Sequence, residues 1–252
     1  MHKRPYIMVA PNGARKTKQD HPLLPISMEE ILTTAKQCYE AGANGLHLHI
    51  RDKQGNHTLD AGQYRETIKA LKAYVPDLAV QITTESAGRF EVDEQLRCLQ
   101  AVRPAWASVS VREVNRNPNL ADALYGYCAD MAIRIQHILY DAEDIRLLRY
   151  WQKKGIVRLQ QNESLLVLGR YAKNQQSSLA NLQALYDALQ PQDDFWMVCA
   201  FGQQEHDCLR QAAMMGGNLR VGFENSLVQP NGQTWQDNAQ SLAALCRLLD
   251  GD

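Results

Sequence analysis

The sequence predicts a (β/α)₈ barrel, on three observations. Strand-like and helix-like segments alternate from one end of the chain to the other, eight of each. The length, 252 residues, is about that of one such barrel. Several of the strands are short, apolar and rich in β-branched residues, as a buried parallel sheet requires. An open doubly wound sheet is the alternative. No GxGxxG follows the first strand, and Leu168-Gly169-Arg170 is too slight a piece to replace it. With no linker, low-complexity tract or long repeat, residues 1–252 read as one catalytic domain.

The elements follow in order. Tyr6 to Ala10 is the first strand, and Pro11 to Pro25 a polar loop rich in Pro, Gly, Asn, Lys and Arg. Ser27 and Glu30 have capping-box spacing, Ile31, Ala35, Cys38 and Tyr39 give the next segment a helical apolar face, and Gly42 suits its end. GLHLHI is the second strand. The rhythm then runs through a helix at Ala61 to Tyr74 and strand LAVQITT, a helix at Asp93 to Val102 and strand WASVSV, and a helix at Ala121 to Asp130 and strand IRIQHIL. It closes with a helix at Glu143 to Lys153 and strand IVRLQQ, a helix at Leu179 to Leu189 and strand FWMVCA, a helix at Gln204 to Met215 and strand LRVGF, and a last helix at Asp237 to Leu249.

Composition narrows the function. The formal net charge of −1 lacks the basic excess that nucleic-acid and membrane-surface proteins use, so neither partner is expected. The six cysteines are scattered with no CxxC pair, which reads as reduced core thiols rather than a disulfide framework or a zinc knuckle. The apolar run near the N-terminus is too short for a signal peptide, and no stretch approaches the roughly 18 apolar residues of a membrane span. The expectation is a soluble cytoplasmic protein.

Barrel enzymes do their chemistry at the C-terminal ends of the strands. GLHLHI ends in His-x-His, and the period of two puts His47 and His49 on one face. Two imidazoles converging there read as zinc ligands, the alternative being a pair of hydrogen-bonded core histidines. A catalytic zinc needs a third protein ligand. Glu224, just past the last strand, fits best, with His137 and Glu85 as alternatives. Arg220 lies four residues before Glu224 and faces the same way, as an anion contact or a structural salt-bridge partner. Thr83-Thr84-Glu85-Ser86 adds hydroxyls and a carboxylate, although a plain turn would use the same residues. The loop from Asn12 to Lys18 is basic and either meets an acidic substrate or is solvated. No GxSxG, P-loop or Cys–His motif is present.

The segments APNGARKTK, LPISMEEI, EAGANGLHLHIRDKQGNHTLD and MMGGNLRVGFENS together resemble the β-keto acid cleavage enzyme family over nearly the whole chain. The resemblance implies a (β/α)₈ barrel, a homotetramer, and a divalent metal, normally zinc, at His47, His49 and Glu224. Mn²⁺ and Co²⁺ suit the same donors. It also implies a reaction between a small β-keto acid and acetyl-CoA that yields acetoacetate and a new acyl-CoA. Arg220 matches the family's electrostatic clamp, Thr83 a substrate-binding hydroxyl, and Asn12 and Gly13 the first-loop lining of the pocket.

The chain departs from the family pattern at several places. Asn225 stands where an aspartate is the family's proposed base, and an amide cannot accept a proton in that role. Glu85 and His137 are the candidate replacements. TTES replaces an STGG-like turn, Gln203 stands where some members have arginine, and Arg15 replaces a glutamate that pairs with an amino-substrate. An anionic or neutral keto acid is therefore expected. Two other readings stay open: a CoA-independent metal-dependent lyase or hydrolase, and a non-catalytic metabolite-binding barrel.

Overall fold

The structure is a computed structural model and describes residues 4–171, 174, 176–190 and 195–251. The expected span of residues 1–252 thus has both its ends, 1–3 and 252, outside the described residues.

Eight parallel strands close into a barrel, and each runs beside its neighbour in sequence apart from one inserted hairpin. The barrel strands are β1 (Ile7–Val9), β2 (Gly45–Leu48), β5 (Ala79–Thr83), β6 (Trp106–Ser110), β7 (Arg134–Leu139), β8 (Glu163–Leu168), β9 (Trp196–Ala200) and β10 (Asn218–Val221). β1 pairs with both β2 and β10, which closes the ring. The hairpin is β3 (Ile50–Arg51) with β4 (His57–Thr58), antiparallel, and it leaves the top of β2. Helices α1 (Met28–Glu40), α2 (Ala61–Tyr74), α3 (Val92–Val102), α4 (Val111–Val114), α5 (Ala121–Asp130), α6 (Ala142–Lys153), α7 (Leu179–Leu189), α8 (Glu205–Met214) and α9 (Asn238–Asp250) lie between the strands.

Two apolar layers follow from the strand period. Outward residues such as Leu46, Ile82, Val109, Ile135, Leu166, Val198 and Leu219 pack with the inward stripes of the helices. Met8, Trp106, Ile138, Leu165, Val167, Met197, Cys199 and Phe201 form a separate cluster inside the barrel. The Ser27–Glu30 capping box that opens α1 is present as expected, with both reciprocal hydrogen bonds.

Two expectations change. The sixth barrel strand is Glu163–Leu168, not IVRLQQ. The Ile156–Gln161 segment is instead a connection, tied down where Gln161 bonds the Tyr125 carbonyl and the Arg158 amide. Leu159 there is 94% exposed, whereas ESLLVL carries the continuous apolar run that a strand covered on both faces needs. GLHLHI is likewise not one strand. It breaks at His49 and passes into the β3–β4 hairpin.

Candidate metal centre and anion pocket

His47 lies on β2 in register with Gln81 on β5, and both side chains point into the barrel. His49 sits one step past β2, where the chain turns into the hairpin. Asn12 holds this turn, because its amide donates to the carbonyls of Pro25 (2.9 Å) and His49 (3.3 Å). Glu224 follows β10, and its backbone N–H donates to the Ala10 carbonyl, which ties the eighth barrel loop to the first. Gly13 makes room for it. Gly13 has φ +65°, and a Cβ there would come within 2.6 Å of Glu224 Cγ, so only glycine fits.

These elements bring three ligand atoms together. His47 Nε2 and His49 Nε2 are 3.1 Å apart. Glu224 Oε1 is 3.4 Å from His49 Nε2, and Oε2 is 3.7 Å from His47 Nε2. Among the described residues these three form the group of His, Cys, Asp and Glu side chains that could hold a metal ion. Ligands about 2.0–2.1 Å from a tetrahedral ion stand roughly 3.3 Å from each other, so the spacing fits a single ion. Glu224 Oε2 is buried without a hydrogen-bond partner among the described residues, as a ligand oxygen would be.

The electrostatics favour ligation. Burial pushes the His47 imidazolium well below its ordinary range, and Arg220 pushes the same way. Burial alone would raise Glu224, but Arg220 and His49 overcome it and hold the carboxyl well below the usual carboxylate range. Neutral imidazole and ionised carboxylate are the forms that bind metal.

Arg220 stands on β10 beside the cluster, its Nη2 3.7 Å from Glu224 Oε2 and 3.6 Å from Cys199 Sγ. The residue is 3% exposed, and both its Nε and its Nη1 lack a hydrogen-bond partner among the described residues. A buried guanidinium with two unused donors calls for an anionic oxygen from a ligand.

The remaining expected residues fall around the same mouth. Glu85 Oε2 is 3.9 Å from His49 Nε2, while Oε1 meets Arg15 at 2.9 Å and Arg170 at 3.7 Å. It lines the pocket but stands apart from the compact triad. The Thr83 hydroxyl accepts from the Glu85 backbone N–H and keeps its own proton free to donate. Asn225 is buried next to Glu224, and its amide nitrogen donates to Glu205 Oε1 and to the Arg220 carbonyl. His137 is no candidate for ligand or base. It faces outward, where its Nε2 meets the Gln161 carbonyl and its ring packs on Tyr125.

Three residues, Gln81, Glu205 and Arg170, have no role predicted from the sequence, and a fourth, Lys16, is left open by it. Gln81 Oε1 accepts from His47 Nδ1 at 2.7 Å, and its Nε2 donates to Gln136 inside the barrel. Its signal was a polar residue two places before Thr83 on an otherwise apolar strand. Glu205, at the start of α8, is buried and pushed up to about 8 by desolvation. Lys16 and Arg170 line a cavity of about 90 Å³ with Asn12, Gly13, Glu85 and Glu224. Lys16 belongs to a basic loop that the sequence left undecided, and Arg170 follows β8, whose position was misread.

The family model for beta-keto acid cleavage enzymes matches residues 5–251. The chain is 25% identical over 256 residues to a 3-keto-5-aminohexanoate cleavage enzyme of Fusobacterium nucleatum, covering 98% of this chain and 92% of that protein. It is 24% identical over 258 residues to a 3-oxoadipate:acetyl-CoA acetyltransferase of Cupriavidus necator, covering 95% and 87%. Among solved structures, ObcA with oxaloacetate superposes with a TM-score of 0.70 at 15% identity, over 91% of this chain. The chain spans 64% of the length of that structure. A type I 3-dehydroquinate dehydratase from Clostridium difficile superposes with a TM-score of 0.64 at 12% identity, over 98% of this chain and 92% of that one. These two likenesses concern the fold alone.

Proposed function

The chain belongs to the beta-keto acid cleavage enzyme family, and from that premise we propose that it cleaves a small β-keto acid with acetyl-CoA, giving acetoacetate and a new acyl-CoA. The observation that carries this reading is the His47–His49–Glu224 cluster with the two unpaired donors of Arg220 beside it. The names of the Cupriavidus necator relative and of a 3,5-dioxohexanoate:acetyl-CoA acetone transferase from Paraburkholderia graminis support acetyl-CoA as co-substrate.

His47, His49 and Glu224 hold one divalent metal, zinc for preference, with Mn²⁺ and Co²⁺ suited to the same imidazole and carboxylate donors. The ion supplies Lewis acidity toward the keto oxygen. Arg220 turns its free Nε and Nη1 to the anionic oxygens of the substrate and stabilises the charge that develops there. Thr83 donates its hydroxyl proton to the substrate, and Asn12 offers its unpartnered Oδ1 as an acceptor. Gly13 keeps the first loop close to Glu224.

Glu85 is the carboxylate of the pocket that lies outside the triad. It takes the proton from the carbon between the keto and carboxylate groups. That carbon attacks the thioester of acetyl-CoA and releases CoA. The CoA sulfur then bonds to the original keto carbon, and the bond from that carbon to the attacking one breaks. The proton held by Glu85 returns to the carbon as acetoacetate leaves. Asn225 contributes as a positioning residue, since its N–H groups brace the Arg220 backbone and Glu205.

The barrel acts as one catalytic domain over residues 1–252, in a cytoplasmic homotetramer. Family likeness supports the tetramer, and the free, buried state of all six cysteines supports a reducing compartment. Among the described residues no helix is long and apolar enough to cross a membrane.

The experiment is acetoacetate release from a panel of β-keto acids by metal-loaded protein, with and without acetyl-CoA. Release only with acetyl-CoA supports the reading, and none across a broad panel refutes it. An amide at Asn225 in place of an acid, together with the Thr83-Thr84-Glu85-Ser86 turn, favours one second reading, a metal-dependent lyase or hydrolase that works without CoA. Turnover without CoA is its mark.

A further inference from the structure

The charges around the pocket do not balance for a simple keto acid. The cavity and the metal cluster beside it carry four cationic side chains, Arg15, Lys16, Arg170 and Arg220, and two carboxylates, Glu85 and Glu224. A divalent ion in the cluster would match those two carboxylates. The four cations then face a substrate whose reacting carboxylate brings one negative charge. Arg220 lies deepest, beside the metal ligands, and takes that charge. Arg15 is half exposed, so solvent screens its charge.

Lys16 and Arg170 remain. Lys16 is half-buried, and among the described residues its ammonium has one hydrogen-bond partner, the Glu224 carbonyl at 2.6 Å. Arg170 is held only loosely, 3.7 Å from Glu85, and its side chain is 16% exposed. Both lie over the Phe201 ring, with Lys16 Nζ 5.7 Å and the Arg170 guanidinium carbon 5.1 Å from its centroid. Two cations share one apolar platform and are partly shielded from water with donors to spare. That arrangement is costly unless an anion joins them.

We propose that Lys16, Arg170 and Phe201 form a second anion subsite, which takes a carboxylate at the far end of the keto acid, so that the preferred substrate is a β-keto diacid. The inference rests on the reading that this pocket takes a β-keto acid. Phe201 carries the methylene chain, and the two cations fork the distal carboxylate. A phosphate of acetyl-CoA is the other source of anionic oxygen, since Arg170 also lines a neighbouring cavity of about 400 Å³ with Arg112, Tyr140 and Tyr171. The smaller cavity argues for the keto acid. Its volume of about 90 Å³ suits a short chain, and the phosphates of CoA lie a whole pantetheine arm from the thioester.

The test uses metal-loaded enzyme and needs no turnover for its first arm. Calorimetry compares glutarate with pentanoate, a diacid and a monoacid of equal length. The diacid should bind about tenfold tighter or better, and Arg170→Gln and Lys16→Met should each bring that ratio down toward one, with Arg170→Lys keeping part of it. The second arm measures kcat/KM for a β-keto diacid against a β-keto monoacid, and KM for acetyl-CoA. Equal binding of glutarate and pentanoate by the wild type overturns the proposal. So does a rise in the acetyl-CoA KM of the variants with their diacid preference intact, which assigns the cations to a CoA phosphate. Diacid-selective binding without any acetyl-CoA-dependent release of acetoacetate would leave the subsite standing and remove the functional reading instead.

Discussion

His47 Nδ1 lies 2.7 Å from Gln81 Oε1, and this contact decides which ring nitrogen faces the pocket. An amide oxygen can only accept, so Nδ1 carries the proton and Nε2 presents a lone pair toward His49 and Glu224. Gln81 is in turn fixed by its bond to Gln136 at 3.1 Å, so the tautomer is set by a chain of barrel-interior amides.

The first prediction follows from that chain. Purified protein should carry about one divalent metal per chain, and His47→Ala and Glu224→Ala should each lose it. Gln81→Ala should keep the fold and the three ligands yet weaken metal affinity by roughly 10–100-fold, with Gln81→Glu recovering most of the loss. Metal content with a competing chelator reads the wild type and all four variants. Undiminished affinity in Gln81→Ala would show that the ring is oriented by other contacts.

Arg220 gives the second. Its Nε and Nη1 have no hydrogen-bond partner among the described residues, which leaves them to the substrate in the function proposed above. Arg220→Gln should lower kcat by on the order of 10²–10³-fold while the metal stays bound. Arg220→Lys should recover little, because a single ammonium cannot replace a fork of two donors. Steady-state kinetics beside metal analysis separates this from a collapsed site.

Glu205 gives a pH signature. Burial raises its carboxyl to about 8 in the fold, against an ordinary value near 4.5. A raised folded-state value means that the folded protein holds the proton more tightly than the unfolded chain. The stabilisation is therefore complete below about 4.5 and is lost as pH rises through about 8. Glu205→Gln keeps the oxygen that accepts from Asn225 and Gly222 and removes the titration. The variant should match the wild type in melting temperature near pH 4–5 and exceed it by on the order of 5 °C at pH 8–9. Parallel melting profiles over that range would show that the buried carboxyl is not held protonated.

The parts of this molecule that were legible in the sequence are those governed by local pattern. Strand period, capping residues and eight βα units define the barrel, and strand-end placement picks out His47, His49, Arg220 and Glu224. The sixth strand was misread because Ile156-Val157 has strand-like composition, while the true strand begins after two turns of irregular chain. The β3–β4 hairpin was missed because two-residue strands carry too few side chains to show a period. Gln81, Lys16, Arg170 and Glu205 gain meaning only from neighbours far along the chain. Gln81 reads as one polar residue in a strand until β2 places His47 beside it. Lys16 reads as solvated charge until Phe201 and Glu224 cover it.

The last prediction concerns the proton acceptor. Asn225 stands where an aspartate base would simplify the chemistry, so restoring the acid looks like a repair. The hydrogen bonds argue otherwise. The Asn225 amide nitrogen donates to Glu205 Oε1 at 3.1 Å and to the Arg220 carbonyl at 2.9 Å, and a carboxylate can donate to neither. Asn225→Asp would leave the buried Arg220 carbonyl without the donor it has now, at a cost on the order of 3 kcal/mol. It should melt earlier and gain no activity. Glu85→Gln should instead keep its metal and lower kcat by roughly 10²–10⁴-fold, as loss of a general base does. Arg15→Gln, which frees Glu85 from its 2.9 Å partner, should have a much smaller effect on kcat. The comparison is decisive in either direction. Full activity in Glu85→Gln would move the base away from Glu85, and a gain in Asn225→Asp would show that an acid at position 225 serves as the base.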